Sequence, residues 1–253
     1  MTTNNHARRK FLMTGSALAA MPSLGLMAQE KKVFMDWTYS QLNDQLDQGP
    51  YLPPAPELKK ILDTLSENGA KVRAKYPPKT ISYGPSANEK LDVFAPANAK
   101  DLPVMIFIHG GEWSMGTKDL YSSLAVPFIQ SNAICVVVGF DNIPPNTMSG
   151  LVGQVRNAVT WVYKNAKQIG ADPNNIYVSG HSSGGHLASM MLVTEWKKQG
   201  LPANLLKGGV IKSHGRLAGA YKVANYNHYQ MPSLFTNTDN EIIKATLAMM
   251  DLV

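Results

Sequence analysis

Cysteine is almost missing from this chain of 253 residues: Cys135 stands alone, so no intramolecular disulfide can close. No set of Cys and His residues has the spacing of a zinc site, and no metal is implied. Beyond residue 28 there is no apolar run long enough to span a bilayer. Charge of one sign is scarce too. The 24 Lys and Arg against 18 Asp and Glu give a formal charge of +6, but Arg8, Arg9 and Lys10 all precede the first acid, Glu30. Without those three, 21 bases face 18 acids. Such a scattered surplus argues against a phosphate-binding groove, and so against nucleic acid as a partner. Lys59-Lys60 and Lys197-Lys198 read as solvated helix faces. Repeats and low-complexity tracts are absent. What is present, 44% hydrophobic and 17% charged residues, is the composition of a globular protein that rests on its core.

The first residues read as an address. Ala7-Arg8-Arg9-Lys10-Phe11-Leu12-Met13 is followed by a soft apolar stretch, Thr14 to Met21, then Pro22 and Leu26-Met27-Ala28. This is the basic, apolar and small-residue order of an export signal, and the Arg pair resembles a twin-arginine signal. Gly15, Ser16, Pro22, Ser23 and Gly25 interrupt the run and make it a poor permanent span. Residues 1–28 are therefore expected to be removed, leaving a periplasmic or secreted protein with no stable membrane span.

Along the mature chain, residues 29–78 read as a helical segment. Trp37, Leu42 and Leu46 lie at helical spacing within 36–48, and Leu58, Ile61, Leu62 and Leu65 mark a second helix over 57–76. Residues 79–253 read as the main domain. Thr80–Tyr83 and Lys90–Phe94 form an antiparallel edge pair, and from Pro103 strands and helices alternate. Val104–Ile108 and Ala133–Val138 are continuous apolar runs, as for parallel strands buried on both faces. Lys118–Asn132 reads as a helix, as do Leu151–Gly170 and Gly185–Lys198, with strands at 176–179 and 209–211. The fold class is α/β, a mostly parallel sheet flanked by helices.

Two loops carry chemistry. The strand at 176–179 runs into Gly180-His181-Ser182-Ser183-Gly184, a Gly-x-Ser-x-Gly turn. A nucleophilic serine on a sharp strand-to-helix turn needs small neighbours, and the turn lifts Ser182 to the start of a helix. Alone the pattern arises readily by chance. The strand at 104–108 strengthens it, because it ends in His109-Gly110-Gly111-Glu112-Trp113. Such a turn presents backbone N–H groups, and those of Gly110, Gly111 and Ser183 are expected to converge on the developing oxyanion of an acyl transfer.

With these residues in view, the sequence resembles the α/β-hydrolases, and within them the arylformamidase (kynurenine formamidase) and carboxylesterase branch. Tyr83-Gly84, Leu91-Asp92-Val93-Phe94, Phe140-Asp141 with Pro144, Gln154-Val155-Arg156 with Trp161, and His186-Leu187 match in family order over roughly residues 80–210. The resemblance implies Ser182 as nucleophile, Gly110, Gly111 and Ser183 as oxyanion donors, and Trp113 as a wall of the acyl pocket or as packing support. It implies no cofactor.

The family's acid and base follow the serine on loops after two further strands. Those strands are not visible in the sequence, and the chain is expected to be C-terminally short relative to the family. His214 and His228 are the base candidates, Asp239 and Asp251 the acid candidates. His181 and His186 belong to the elbow and its helix, and His109 to the bracing of the turn. Residues 240–252 read as an amphipathic helix covering part of the open edge of strand 209–212 with Ile242, Ile243, Leu247 and Met250, which leaves a homodimer through that edge as an expectation. The reading is an exported serine hydrolase acting on a small-molecule ester or N-formyl amide, the exported address favouring the ester. The alternative is a catalytically impaired member acting as a binding protein.

Overall fold

The computed structural model describes residues 30–47, 52–212, 232, 236 and 239–253. Residues 1–28, expected to be an export signal, lie outside them, as do His214 and His228. Two compact units divide at Gln45/Leu46. In the first, strands β1 (Lys32–Phe34) and β2 (Trp37–Thr38) pair as a small antiparallel hairpin. Helix α1 (Tyr39–Leu46) follows. Its start is fixed by a reciprocal cap: Gln41 N–H donates to Thr38 Oγ1 at 3.3 Å and Thr38 N–H to Gln41 Oε1 at 2.9 Å. The helix expected from residue 36 therefore begins three residues later, because Trp37 and Thr38 are held in the hairpin.

The second unit carries helix α2 (Ala55–Lys75) and a six-stranded sheet of β3 (Lys79–Ser82), β4 (Lys90–Phe94), β5 (Leu102–Ile108), β6 (Ile134–Val138), β7 (Ala171–His181) and β8 (Gly208–Lys212). The spatial order is β3-β4-β6-β5-β7-β8. Strand β4 runs antiparallel to both its neighbours, β3 and β6, and β6, β5, β7 and β8 are parallel. Helix α2 and the sheet lie in the same compact unit.

Alternation along the central strands sorts the core onto two faces. Val104, Ile106 and Ile108, with Val136 and Val178, pack against helices α4 (Met148–Lys164) and α5 (Ser183–Leu192). Met105, Phe107, Cys135, Val137 and Tyr177 face the other way, onto Tyr121 and Leu124 of the 3-10 turn Lys118–Leu124 and Phe128 of α3 (Ala125–Gln130). The single helix expected over 118–132 is thus a 3-10 turn joined to a short α-helix. The terminal helix α6 (Glu241–Met249), capped by Asn240 Oδ1 accepting from Ile242 N–H at 2.9 Å, supplies Ile243, Leu247 and Met250 to this same face. It fills a face of the sheet, not the edge of β8 as its stripe alone suggests. Among the described residues β8 has one sheet neighbour, β7.

Helix α2 is fastened to the sheet by charge. Asp92 on β4 is fully buried and paired with Arg73 of α2, with Lys118 Nζ at 2.8 Å and with Thr80 Oγ1 at 2.6 Å. Burial alone would push the Asp92 carboxyl up, but the Lys118, Thr80 and Arg73 hydrogen bonds outweigh it and hold it below its ordinary value. Among the described residues no helix is long and apolar enough to cross a membrane.

Candidate active site

Strands β5, β6 and β7 end side by side, Ile108 pairing with both Val138 and Gly180. The loops that leave their carboxyl ends therefore meet, which is where an open parallel sheet places a ligand crevice.

Ser182 occupies the junction between β7 and α5 with φ 57° and ψ −126°, a conformation that a side-chain-bearing residue adopts only under strain, at a cost of about 1–3 kcal/mol. The strain is imposed by its neighbours. A Cβ on Gly180 would run into the Gly184 carbonyl, and one on Gly184 into the carbonyl oxygens of Ile108 and His109. No other residue type lets the helix start this close to the strand. Ser182 is half-buried, and Ser183 beside it is buried.

The facing turn begins at His109, which is 1% exposed and stacks on Phe140 at 4.1 Å with rings 9° apart. Its Nδ1–H donates to the Gly110 carbonyl at 2.8 Å. Burial drives its pKa down to about 4, so it is a neutral brace. Gly111, Glu112, Trp113 and Gly116 all have positive φ, and the N–H groups of Ser114 and Met115 both close back on the Gly111 carbonyl. Three contacts hold the turn: Trp113 N–H to Ser183 Oγ at 3.3 Å, Ile143 N–H to the Trp113 carbonyl at 2.8 Å, and Asn142 Nδ2 to the Gly116 carbonyl at 3.3 Å. A Cβ on Gly110 would lie 2.9 Å from Ser182 Cβ, which measures how closely the turn approaches the elbow.

The structure thus brings Ser182, Ser183, Gly110, Gly111 and Trp113 together. Trp113 does two things at once. It packs on the hydrophobic core, and its Nε1–H points at His186 Nδ1 at 3.3 Å across an edge-on contact. His186 is pushed below its ordinary pKa by burial. His181 is buried, with Nδ1 3.4 Å from the Tyr121 hydroxyl. Each of the three has a partner: His109 in Gly110, His181 in Tyr121 and His186 in Trp113. Asp239 lies in an exposed turn before α6. Asp251 is exposed and bears on Tyr177, which precedes Ser182 by five residues, about 16 Å of strand. Asp251 is therefore remote from the elbow. Asp141, after β6, accepts from Ser86 Oγ at 2.6 Å, Gln154 Nε2 at 2.7 Å and Asn88 Nδ2 at 2.9 Å, with the Ser86 and Gln154 bonds holding its carboxyl low. It anchors loops. Among the described residues no group of three or more His, Cys, Asp or Glu could hold a metal ion.

Tyr121 and the Trp113–His186 pair are the features that motif reading passes over. Tyr121 lies in a stretch whose spacing announces only a helix, and the indole-imidazole contact joins residues 73 positions apart.

A serine raised on a strand-to-helix elbow, opposite a glycine turn at the carboxyl edge of a mostly parallel sheet, defines an α/β-hydrolase-fold protein. The BD-FAE family model matches residues 91–238, more than half of the sequence, and the chain belongs to that family. It is 33% identical over 167 residues to the kynurenine formamidase of Danio rerio, covering 66% of this chain and 51% of that one. It is 31% identical over 162 residues to an isoprenylcysteine alpha-carbonyl methylesterase of Arabidopsis thaliana, covering 63% and 36%. The chain spans about half the length, or less, of these curated relatives. A solved structure from Silicibacter sp., provisionally described as a thioesterase, superposes with a TM-score of 0.59 at 17% identity over 81% of this chain and 98% of that one, a likeness of fold.

Proposed function

We propose that the protein is an exported serine hydrolase that cleaves a small carboxylic ester, or an N-formyl amide, through an acyl-enzyme on Ser182. The observation that carries this reading is the strained Ser182 backbone held against the Gly110–Gly111 turn. Ser182 Oγ attacks the substrate carbonyl and its proton passes to a base. The developing oxyanion is met by the backbone N–H groups of Ser183, at the first turn of α5, and of the glycine turn. Collapse expels the alcohol or amine, and water then releases the acid. Trp113 walls the acyl side. His214 and His228 are the base candidates. The kinship to formamidase and esterase families supports the substrate class, and the address at Arg8-Arg9 favours an ester. A homodimer along the outer edge of β8 is part of the same reading, tested by sedimentation over a range of concentrations.

One observation favours the alternative of a binding protein: His109, His181 and His186 are each engaged elsewhere, with Gly110, Tyr121 and Trp113. Hydrolysis of p-nitrophenyl acetate separates the two. The hydrolase reading expects turnover that Ser182→Ala abolishes. Turnover equal in the mutant contradicts it, and ligand retention without turnover in the wild type supports the binding protein. For export, changing Arg8 and Arg9 to Lys is expected to hold the precursor in the cytoplasm, and unchanged fractionation removes the claim.

A further inference from the structure

The reaction described above leaves one buried phenol at the floor of the site without a task. Tyr121 is 9% exposed, with its ring 5.6 Å from Phe107 and 6.0 Å from His109. Its hydroxyl lies 3.4 Å from Nδ1 of His181, the residue immediately before the nucleophile. The Gly110 backbone, at the head of the facing turn, lowers the pKa of the same hydroxyl. The two loops nearly touch at this point: a Cβ on Gly110 would sit 2.7 Å from the His181 carbonyl oxygen and 3.3 Å from His181 Nδ1.

A phenol can accept one hydrogen bond and donate another in the same place. Donating to His181 Nδ1 at 3.4 Å leaves the His181 proton on Nε2. Burial raises the Tyr121 pKa to about 12, against a smaller opposing effect of the Gly110 backbone, so the hydroxyl keeps its hydrogen at neutral pH. In a dry setting each of these polar groups costs more to leave unpaired than the bond itself contributes.

We propose that Tyr121 is a positioning residue that couples the glycine turn to the nucleophile elbow, its ring beside His109 at the head of the turn and its hydroxyl on His181 Nδ1. These contacts stand on geometry; their effect on rate rests on the hydrolase reading. Tyr121→Phe keeps the ring against Phe107 and His109 and removes only the hydroxyl.

The test combines two readouts on the full chain. Nitrogen NMR of histidine-labelled protein, with His181 assigned by its loss in His181→Ala, is expected to show Nδ1 unprotonated and Nε2 protonated in the wild type, and a mixed or inverted pattern in Tyr121→Phe. A wild-type His181 protonated on Nδ1 overturns the proposal without any variant, as does a pattern unchanged in Tyr121→Phe. The second readout is the rate of Ser182 modification by a fluorophosphonate. Tyr121→Phe is expected to slow it by about tenfold, the scale of one buried hydrogen bond, but by less than about twofold when added to His181→Ala, since both changes break one link. Independent, multiplying effects contradict the coupling. If the wild type never reacts with the probe, the hydrolase reading fails, while the NMR still decides the Tyr121–His181 bond.

Discussion

At the elbow a single residue, Ser182, carries the backbone strain, and it is locked by carbonyl groups that leave no room for a side chain at Gly180 or Gly184. In the turn opposite, four residues between Gly111 and Gly116 have positive φ, and the loop is held by hydrogen bonds to Ser183, Ile143 and Asn142. One region is fixed by exclusion and the other by tethers. A steric lock fails all at once, whereas tethers fail one at a time and by about a kilocalorie each. The nucleophile is thus held more stiffly than the groups that receive its negative charge.

The largest effect is therefore expected at the elbow. Gly184→Ala forces a Cβ onto the Ile108 and His109 carbonyls and is expected to destabilise the fold by upward of about 3 kcal/mol. A urea midpoint equal to that of the wild type breaks the idea of a steric lock.

Acid sharpens the contrast from the other side. His109 titrates near its ordinary 6.5 in the unfolded chain but near 4 in the fold. Between those values the unfolded state binds more protons, so stability is full above about pH 6.5 and falls as the pH drops toward 4. The loss from this group is on the order of 2–3 kcal/mol. Asp92, held low by its partners, adds loss in the same direction at still lower pH. Unfolding curves from neutral to acid pH check this, and His109→Phe should flatten the slope while keeping the stack on Phe140. An equal slope in that variant assigns the acid sensitivity elsewhere.

The smallest change belongs to one tether. Ser183→Ala keeps the Ser183 N–H but removes the Oγ that accepts from Trp113 N–H. A stability loss of about 1 kcal/mol and a roughly threefold slower reaction at Ser182 are expected. A loss as large as that of Gly184→Ala would erase the distinction between the two loops.

The sheet was legible where residues are buried on both faces, because Val104–Ile108 and Ile134–Val138 admit no polar residue. The two loops were legible because close approach of backbones demands glycine at Gly110, Gly180 and Gly184. Other features leave weaker marks. An amphipathic stripe such as Ile243, Leu247 and Met250 declares that a helix has an apolar side, but not whether a sheet face or a sheet edge receives it. Helical spacing does not separate the 3-10 turn at Lys118–Leu124 from an α-helix, since side chains three apart align in both. The Thr38-x-x-Gln41 cap can be read in sequence, yet Trp37 falls on the same apolar spacing and blurs the start of α1. Tyr121 and the Trp113–His186 contact depend on which loops meet in space, and no local pattern encodes that.

The central claim is that the elbow and its turn form a working nucleophilic site, and mass-spectrometric mapping of a fluorophosphonate adduct on the folded chain tests it most directly. One adduct, on Ser182 and lost in Ser182→Ala, is the predicted result. No adduct on Ser182, or equal labelling of the Ser182→Ala protein at another residue, would contradict it.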